Sequence, residues 1–345
     1  MAAPTAARPR PARLAIAGAS SLRGKELKQL LEESSLPVED VRLFDEEFAA
    51  GTLTEAAGEP VVIQTVDEGS FQGARIVFFT GSPAFARRHA AAARHAGAAV
   101  IDLSDGLVAA AGARVWIPAL DRLLPPPPAA PGASEGGGLY VSPSAAAIAG
   151  CTLAAALTLL RVRRLALIFF QPVSEGGQKG VDELESQTVK LLSFQPIAHE
   201  VFDAQVAFNL LSCYGESSSE HLADARAGIA ACVRIYLEGR ATIPAVQLIH
   251  APVFYASAFS AFVEFDGAVQ PADLERALEA AGVRLTPAGD TPPSNLSAAG
   301  STDITLARVE RDPNLSGGFW LWGAVDNLRL PAANAISIAE RLLAS

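Results

Sequence analysis

The sequence contains little cysteine and no excess of positive charge. Its three cysteines, Cys151, Cys213 and Cys232, form no CxxC pair, which predicts reduced side chains in a cytoplasmic protein and no metal site. The formal net charge is -10, with 27 Lys and Arg against 37 Asp and Glu. A nucleic-acid surface needs clustered cations, and anionic lipid attracts them, so neither partner is expected.

Long apolar runs are also absent from the sequence. No stretch approaches the roughly 20 apolar residues of a membrane span, so no membrane segment is expected. Residues 1–12 are rich in Ala, Pro and Arg and lack the apolar core of a secretory signal, which predicts a disordered tail.

The 345 residues, half of them hydrophobic, are enough for two domains. The first third alternates short apolar runs with amphipathic stretches, which is typical of an α/β domain with a parallel sheet covered on both faces. The predicted strands and helix of this part are Leu14–Ala17, Val41–Phe44, Ile76–Phe79, an Ala-rich helix over 84–96, and Ala98–Asp102.

A segment dense in Pro and Gly, residues 124–138, predicts a loop before the pattern changes. Longer strands with fewer helices then predict an α+β domain with a mixed or antiparallel sheet. Its predicted elements are helices at Ala145–Leu160, 178–191 and 219–236, strands at Leu165–Phe170, Val246–Ile249, Ala258–Phe265, Ile304–Arg311 and Gly318–Val325, and a final helix at 332–343. The expected domains are 13–141 and 142–325, with residues 326–345 returning to the first.

A glycine-containing turn joins the first strand to the first helix. Glycines at this place let the backbone approach a pyrophosphate, and the helix N-terminus favours the anion. The alternative is a plain strand-to-helix turn in which Ser20 or Ser21 caps the helix. The candidate cofactor-binding residues of this turn are Gly18, Ser20, Ser21, Leu22 and Gly24.

Three carboxylates, Asp45, Glu46 and Glu47, follow the second predicted strand. An acidic residue about 20 residues past a glycine turn binds a ribose hydroxyl in NAD sites, and negative charge repels the extra phosphate of NADP. If a dinucleotide binds, this cluster favours NAD over NADP. The alternative is a solvated acidic loop.

Several segments, in order, carry a resemblance to one family. The glycine turn GASSLRG resembles the family motif GATGxVG, and QPVSEGG, from Gln171, resembles QAVSGAG. The remaining matches are IDLSDGLV at 101–108 with IDNSSAFR, PALD at 118–121 with PEVN, and DNLRLPAA at 326–333 with DNLRKGAA. On these motifs the chain resembles aspartate-semialdehyde dehydrogenases from about residue 13 to its end.

The resemblance implies a Rossmann-type NAD(P)-binding domain followed by an α+β dimerisation domain. It implies a cytoplasmic homodimer and a role in amino-acid biosynthesis. It also assigns Ser174, Gly176 and Asn327 to the cofactor site, and Gln171 to orienting the substrate. Gln171 can equally be a structural amide on a buried strand.

The resemblance places different residues at the family's two catalytic positions. In the family a cysteine thiolate attacks the aldehyde and a histidine takes the proton. The cysteine of NPNCST corresponds to Ala145, and the histidine of RVPVxxGHS corresponds to Ser257. Cys151 lies six residues on, about 9 Å along a helix and on another face, so it cannot substitute.

The family's cationic substrate contacts are reduced as well. The arginine of RVPVxxGHS corresponds to His250, and the arginine of IDNSSAFR corresponds to Val108. The chain has four lysines and none after Lys190, so the helix predicted at 219–236 carries no lysine. A bidentate arginine has no apolar substitute. His250 is either an anion contact when protonated or a satisfied strand histidine.

These positions predict a family member that lacks an intact catalytic set and does not catalyse the parent dehydrogenase reaction. Two alternatives stay open: an NAD(P)-dependent oxidoreductase with different chemistry, and an ordinary dehydrogenase acting on an aldehyde or acyl phosphate. Cofactor titration and an activity assay separate the three, and the small-molecule ligand is not identified by the sequence.

Overall fold

The computed structural model describes residues 11–49, 51–56, 58–124 and 137–344. Of the tail predicted over 1–12, residues 1–10 lie outside this range, and Ala12 already belongs to the first strand. Most of the loop predicted over 124–138 lies outside it too. No helix among the described residues is long and apolar enough to cross a membrane.

The chain divides into two compact units. Unit 1 consists of residues 1–118, 128–142 and 332–345, and unit 2 consists of residues 119–127 and 143–331. The strands of unit 1 are β1 (Ala12–Ala17), β2 (Val38–Asp45), β3 (Leu53–Ala56), β4 (Glu59–Val62), β5 (Gln64–Thr65), β6 (Ile76–Phe79), β7 (Ala99–Asp102), β8 (Ala113–Val115) and β9 (Leu139–Val141). Its first two helices are α1 (Leu22–Glu33) and α2 (Pro83–His95).

The main sheet of unit 1 is parallel, in the order β5-β2-β1-β6-β7-β9-β8. Its central strands are buried on both faces, which explains why they read as continuous apolar runs. β3 and β4 form a separate antiparallel hairpin, which the sequence pattern did not predict.

Unit 2 contains the helices α3 (Ala145–Ala156), α4 (Gly177–Leu192), α5 (Leu222–Leu237), α6 (Pro271–Ala280) and α7 (Asn295–Ala298). Its strands are β10 (Val162–Gln171), β11 (Ala245–His250), β12 (Ser257–Phe265), β13 (Arg284–Leu285), β14 (Thr305–Leu306), β15 (Glu310–Arg311) and β16 (Gly318–Val325). The last helix, α8 (Arg329–Ala344), places Ala335, Ile338 and Ala339 in the buried core of unit 1.

The sheet of unit 2 is mixed, in the order β11-β10-β12-β16-β14-β13, with β15 also pairing β16. β10 pairs β11 in parallel and β12 antiparallel. One face buries alternate residues such as Phe169, Phe259 and Leu321, whereas the other leaves Trp320 and Trp322 partly exposed. An α/β Rossmann-type domain and an α+β domain are thus both present, and the predicted fold class is confirmed.

The predicted strand Ile304–Arg311 is wrong as a single element. It is divided into β14 and β15, and between them the backbone N–H of Val309 and the guanidinium of Arg308 both donate to the carboxylate of Glu275 on α6. Ala307 still donates to the Trp322 carbonyl of β16, so these bonds mark the irregularity at the two residues that follow. The helix predicted to Leu160 also ends earlier, at Ala156.

Candidate functional site

The glycine turn, residues 18–24, is held by close backbone packing at both of its glycines. Gly18 has a φ of +99°, and a Cβ built on it would lie 2.1 Å from the backbone nitrogen of Gly81. A Cβ on Gly24 would lie 2.4 Å from the carbonyl oxygen of Gly18. Only glycine fits either position, so the strand-to-helix turn itself fixes these two residues.

Ser21 is the N-cap of α1, as one of the two alternatives for the turn expected. Its hydroxyl accepts from the backbone N–H of Gly24 and lies 2.7 Å from the carbonyl oxygen of Gly18. The Ser21 backbone is extended, with φ -62°, so the position does not require a glycine. Leu22 is the first residue of α1. The turn is short, so the N-terminus of α1 lies near the carboxyl end of β1.

The carboxylate of Asp45 contacts the glycine turn directly. Its Oδ2 accepts from the backbone N–H of Ser20 at 2.7 Å, and its Oδ1 accepts from the N–H of Glu46. Asp45 is buried, whereas Glu47 is exposed. Only the outer part of the acidic cluster is therefore solvated.

A pocket of about 580 Å³ lies beside the acidic cluster in unit 1. The carboxylate of Glu46 accepts from the hydroxyl of Ser82, the N-cap of α2. Burial, and secondarily Arg88, lowers the pKa of His89, whose ring packs on Phe85. The pocket is lined by Asp45, Glu46, Glu47, Thr65, Val66, Phe85, Arg88 and His89.

In unit 2, Ala145 is the first residue of α3, directly after the N-cap Ser144. Its methyl group is buried, and the hydroxyl of Ser144 accepts from the backbone N–H of Ala147. Cys151 lies on the same helix and is buried, and this burial raises the pKa of its thiol. A buried thiol with a raised pKa is a poor source of thiolate.

His250, at the end of β11, is enclosed by a hydrogen-bond chain. Its Nε2 lies 3.3 Å from the carbonyl oxygen of Val206, and its Nδ1 lies 3.3 Å from the hydroxyl oxygen of Tyr214. Because a carbonyl only accepts, Nε2 carries the proton and Nδ1 accepts from Tyr214. Tyr214 also bonds the side chain of Gln171, which pairs with His250 across β10 and β11.

This environment favours the neutral form of both rings. His250 is fully buried, and burial lowers its pKa, although the bond to Val206 opposes the shift. Burial, followed by the charges of Glu220 and Glu175, raises the pKa of Tyr214. Both ring nitrogens of His250 therefore have hydrogen-bond partners, and burial favours the uncharged ring.

Ser174 and Asn327, two of the predicted cofactor residues, contact each other in unit 2. The amide nitrogen of Asn327 lies 3.1 Å from the hydroxyl oxygen of Ser174 and donates to Glu175. Its amide oxygen accepts from the backbone N–H of Ala256, which has a φ of +60°. Asn327 thus fixes the backbone next to Ser257, the first residue of β12.

Gly176 ends a short 3-10 turn, Val173–Gly176, that leads into α4. A Cβ on Gly176 would lie 3.1 Å from the ring of Phe202, so the residue is in tight packing contact. Phe202 in turn packs on Tyr214, with ring centroids 4.7 Å apart. Gly176, like Ser174, belongs to a cluster whose described contacts are structural.

Two buried polar residues on α4, Glu183 and Gln187, form a clamp that the sequence pattern did not reveal. Gln187 accepts from the backbone N–H groups of Val206 and Ala207 and donates to two carbonyl oxygens. Glu183 accepts from the N–H of Val201. The clamp holds the coil over residues 198–207, which supplies the Val206 carbonyl to His250. The available signal in the sequence was the spacing of Glu183 and Gln187, which lie four residues apart on an amphipathic helix.

The segment at 101–108 forms a closed turn around Asp102 in unit 1. The buried carboxylate accepts from the backbone and hydroxyl of Ser104 and from the backbone N–H of Leu107. Burial raises the pKa of Asp102. Val108, the position matched to a family arginine, follows this turn and offers no polar group.

Two family models match the chain. Residues 13–122 match the semialdehyde dehydrogenase NAD binding domain, and residues 153–330 match the semialdehyde dehydrogenase dimerisation domain. These ranges correspond to the parallel sheet of unit 1 and the mixed sheet of unit 2.

Relatives of similar length match almost end to end. The chain is 32% identical to a USG-1 protein homolog of Pseudomonas aeruginosa over 96% of this chain and 98% of the relative. It is 30% identical to the USG-1 protein homolog of Azotobacter vinelandii, over 96% and 97%. It is 25% identical to aspartate-semialdehyde dehydrogenase 2 of Vibrio cholerae, over 96% and 97%.

Solved structures show the same architecture. A probable aspartate-semialdehyde dehydrogenase from Pseudomonas aeruginosa superposes with a TM-score of 0.86 at 31% identity, covering 97% of this chain and 99% of the other. Aspartate semialdehyde dehydrogenase II from Vibrio cholerae superposes with a TM-score of 0.85 at 24% identity, covering 97% and 99%, and supports the fold alone. By its matched domains and its full-length relatives, the chain belongs to the aspartate-semialdehyde dehydrogenase family.

Proposed function

We propose that this chain is a non-catalytic member of its family, which keeps the two-domain scaffold without the parent dehydrogenase reaction. The observation that carries the proposal is the buried methyl group of Ala145 at the start of α3, where the family motif has its cysteine. Without a thiolate there, no thioester forms, and hydride transfer has no tetrahedral adduct to leave from.

The other positions support the same conclusion. The family's histidine position is Ser257, whose hydroxyl cannot act as a base near neutral pH. The family's arginine position is His250, which is buried and hydrogen-bonded through both ring nitrogens. A neutral, enclosed imidazole supplies no charge to a substrate carboxylate. Loss of a nucleophile alone costs several orders of magnitude in rate.

A steady-state assay tests the proposal. Purified protein with aspartate semialdehyde, phosphate and NAD or NADP is expected to form no reduced cofactor above background. The matched control is Gln171→Ala, at the one retained position of the family's catalytic set. Turnover by the unaltered chain that disappears in Gln171→Ala overturns the proposal and supports the alternative, an active NAD(P)-dependent dehydrogenase of aldehydes or acyl phosphates.

We propose further that any dinucleotide bound by unit 1 is NAD, held weakly. The pocket beside the acidic cluster fits the adenosine end, with Asp45 placed for a ribose hydroxyl and Phe85 for the base. When bound, NAD supplies a hydride acceptor. The N-terminus of α1 would face its pyrophosphate, but the carboxylate of Asp45 already bonds the Ser20 amide and repels that anion.

Calorimetry with the two cofactors tests this preference. NAD is expected to bind about tenfold more tightly than NADP, because Glu46 and Glu47 repel the extra phosphate. A double Glu46→Gln, Glu47→Gln variant is expected to narrow that ratio. Equal affinities in the unaltered chain, or no heat with either cofactor at millimolar concentration, reject the cofactor assignment and leave the loss of catalysis standing.

We propose that the chain forms a homodimer through unit 2. Residues 153–330 match a dimerisation domain, and one face of its sheet carries apolar side chains that water reaches. Ile168 is 36% exposed, Trp320 43% and Trp322 39%. A contiguous apolar face of this kind is typical of a protein interface.

Light scattering coupled to size-exclusion chromatography measures the molar mass of the protein in solution and so its oligomeric state. The unaltered chain is expected at twice its 35.8 kDa mass. Ile168→Glu is expected to shift the mass to that of one chain, because it places an uncompensated charge within the face that dimerisation buries. Leu159→Glu, at an exposed residue outside the sheet, is the control and is expected to stay dimeric. A monomeric unaltered chain contradicts the assignment.

A further inference from the structure

A second cavity in unit 1 belongs to none of the residues assigned to cofactor or substrate. It has a volume of about 400 Å³ and lies between α1, the stretch leading into β2, and the hairpin of β3 and β4. This volume is in the range of small-molecule sites in proteins. The cavity is lined by Lys28, Leu31, Glu32, Leu36, Val38, Val41 and Gly58.

Lys28 places a cation inside this cavity. The side chain is only 9% exposed, and its Nζ donates to the hydroxyl oxygen of Thr54 on β3 at 2.8 Å. A neutral hydroxyl compensates a buried ammonium poorly. Burial, followed by the charge of Lys25, lowers the pKa of Lys28, and the charge of Glu32 opposes this shift, although no salt bridge joins these two described side chains. A carboxylate from a ligand would give this ammonium a direct anionic contact in place of the hydroxyl alone.

Glu32 places an anion at the rim of the same cavity. It lies one turn after Lys28 on α1, so both side chains are on one helix face, but Glu32 is exposed where Lys28 is buried. The two charges are thus presented at different depths of one cavity. A zwitterion with adjacent carboxylate and ammonium groups complements this arrangement.

The rest of the lining is aliphatic. Leu31, Leu36 and Val41 are buried, and Val38 is partly buried, with no aromatic or polar side chain among the remaining lining residues. Branched aliphatic walls favour a branched aliphatic group of similar size through apolar burial. They provide no partner for a polar or charged ligand side chain, which would be left unpaired there.

We propose that this cavity binds a free aliphatic α-amino acid of the size of valine or leucine. Its carboxylate contacts Lys28, its ammonium faces Glu32, and its side chain lies against Leu31, Leu36 and Val41. The proposal is independent of whether the chain retains dehydrogenase activity, since no residue of the cavity belongs to either the glycine turn or the positions matched to catalysis.

Calorimetry on the full chain near pH 7.5 tests the ligand class. L-Leucine and L-valine are expected to bind, and L-aspartate and L-lysine are expected to give no heat at the same millimolar concentration. 4-Methylpentanoate, which lacks the ammonium, and 3-methylbutylamine, which lacks the carboxylate, are each expected to bind at least about tenfold more weakly than leucine, because each loses one charged contact.

Two variants with matched controls locate the site. Lys28→Met and Glu32→Gln are each expected to weaken leucine binding about tenfold or more, because each removes one charged partner. Lys25→Met and Glu33→Gln change exposed residues of the same helix outside the cavity lining and are expected to bind leucine as the unaltered chain does. Glu32→Gln is expected not to weaken binding of 4-methylpentanoate, since that ligand has no ammonium and its carboxylate gains from loss of a nearby negative charge.

Absence of heat with both leucine and valine overturns the proposal. So does leucine binding that is equally strong in Lys28→Met and in Lys25→Met. If Lys28→Met does not fold, as judged by circular dichroism, the ligand series on the unaltered chain decides: equal affinity for leucine and 3-methylbutylamine removes the role given to Lys28.

Discussion

The glycine turn of unit 1 and the Ala145 region of unit 2 retain different features of the family pattern: the turn retains two glycines, and the Ala145 region retains its secondary structure. The turn keeps Gly18 and Gly24, the two positions where a Cβ would overlap neighbouring backbone. Its middle glycine is Ser21, in an extended conformation that any residue adopts. In unit 2, the helix that begins at Ala145 and the strand that begins at Ser257 are both present, while neither residue carries a thiol or an imidazole.

If the proposed function holds, the positions that backbone geometry requires are retained in this chain and the positions that the family's chemistry requires are not. Gly18 is fixed by the approach of two loops, and any larger residue costs folding energy. Ala145 and Ser257 occupy places where a small side chain fills the space, and folding does not demand a thiol or an imidazole. Under the proposed function, the fold is kept without the parent activity.

The largest effect expected from this comparison is at Gly18. Gly18→Ala places a Cβ 2.1 Å from the backbone nitrogen of Gly81 at a φ of +99°, so it is expected to lower the free energy of unfolding. The loss is about 3 kcal/mol or more, from backbone strain and overlap together. Urea denaturation followed by circular dichroism measures it.

Gly228→Ala is the control for that substitution. Gly228 lies inside α5, and nothing lies within 4 Å of a Cβ built there. Alanine is expected to stabilise the helix by roughly 0.5–1 kcal/mol. If Gly18→Ala and Gly228→Ala have the same effect, the glycine turn is not fixed by its backbone.

The second effect concerns the clamp in unit 2. Gln187→Ala leaves the backbone N–H groups of Val206 and Ala207 without their partner, so the free energy of unfolding is expected to fall by about 2–4 kcal/mol. Gln178→Ala removes an exposed bond to Asp182 on the same helix and is expected to change stability by less than about 0.5 kcal/mol. A small effect at Gln187 would mean that the coil over His250 is held by packing instead.

The smallest effect is the pH dependence contributed by His250. Burial lowers its pKa in the folded chain, so the unfolded chain binds more protons as the pH falls below about 6.5. Stability contributed by the neutral ring is present above that pH and is lost below it, with a slope of at most about 1.4 kcal/mol per pH unit.

Urea denaturation at several pH values from about 5 to about 7 gives the slope of the free energy of unfolding against pH, and this slope is compared between His250→Gln and His95→Gln. The first variant is expected to lose part of the slope, because its side chain does not titrate. The second changes an exposed histidine and is expected to keep it. An unchanged slope in His250→Gln would show that the pKa of the ring is the same in the folded and the unfolded chain, which would contradict the lowered pKa expected from burial.

Local patterns predicted most of the fold because the elements follow simple periodicities. The continuous apolar runs of β1, β6 and β7 required burial on both faces, and the alternation in β12 required one buried face. The hairpin of β3 and β4 was missed because its strands are only four residues long and show no regular alternation. The break between β14 and β15 coincides with bonds to Glu275, about 30 residues away in sequence, which no local pattern contains.

The candidate site likewise has positions that the sequence supplied and contacts that it could not predict. The motif resemblance supplied Ala145, Ser257 and Gln171 as matched positions, and these assignments remain predictions. The enclosure of His250 could not be predicted, because it depends on Tyr214 from a coil without regular periodicity. The contact between Asp45 and Ser20 likewise joins two residues that the sequence suggested separately for the same ligand.

Intact-mass spectrometry tests the missing nucleophile most directly. The protein is incubated with aspartate semialdehyde and NAD or NADP in the absence of phosphate, so that any acyl intermediate accumulates. Only the mass of the unmodified chain is expected, because Ala145 offers no thiol, Cys151 and Cys232 are buried, and the exposed Cys213 is not at the position matched to the family's cysteine. An adduct on any of the three cysteines that disappears when phosphate is added would contradict it.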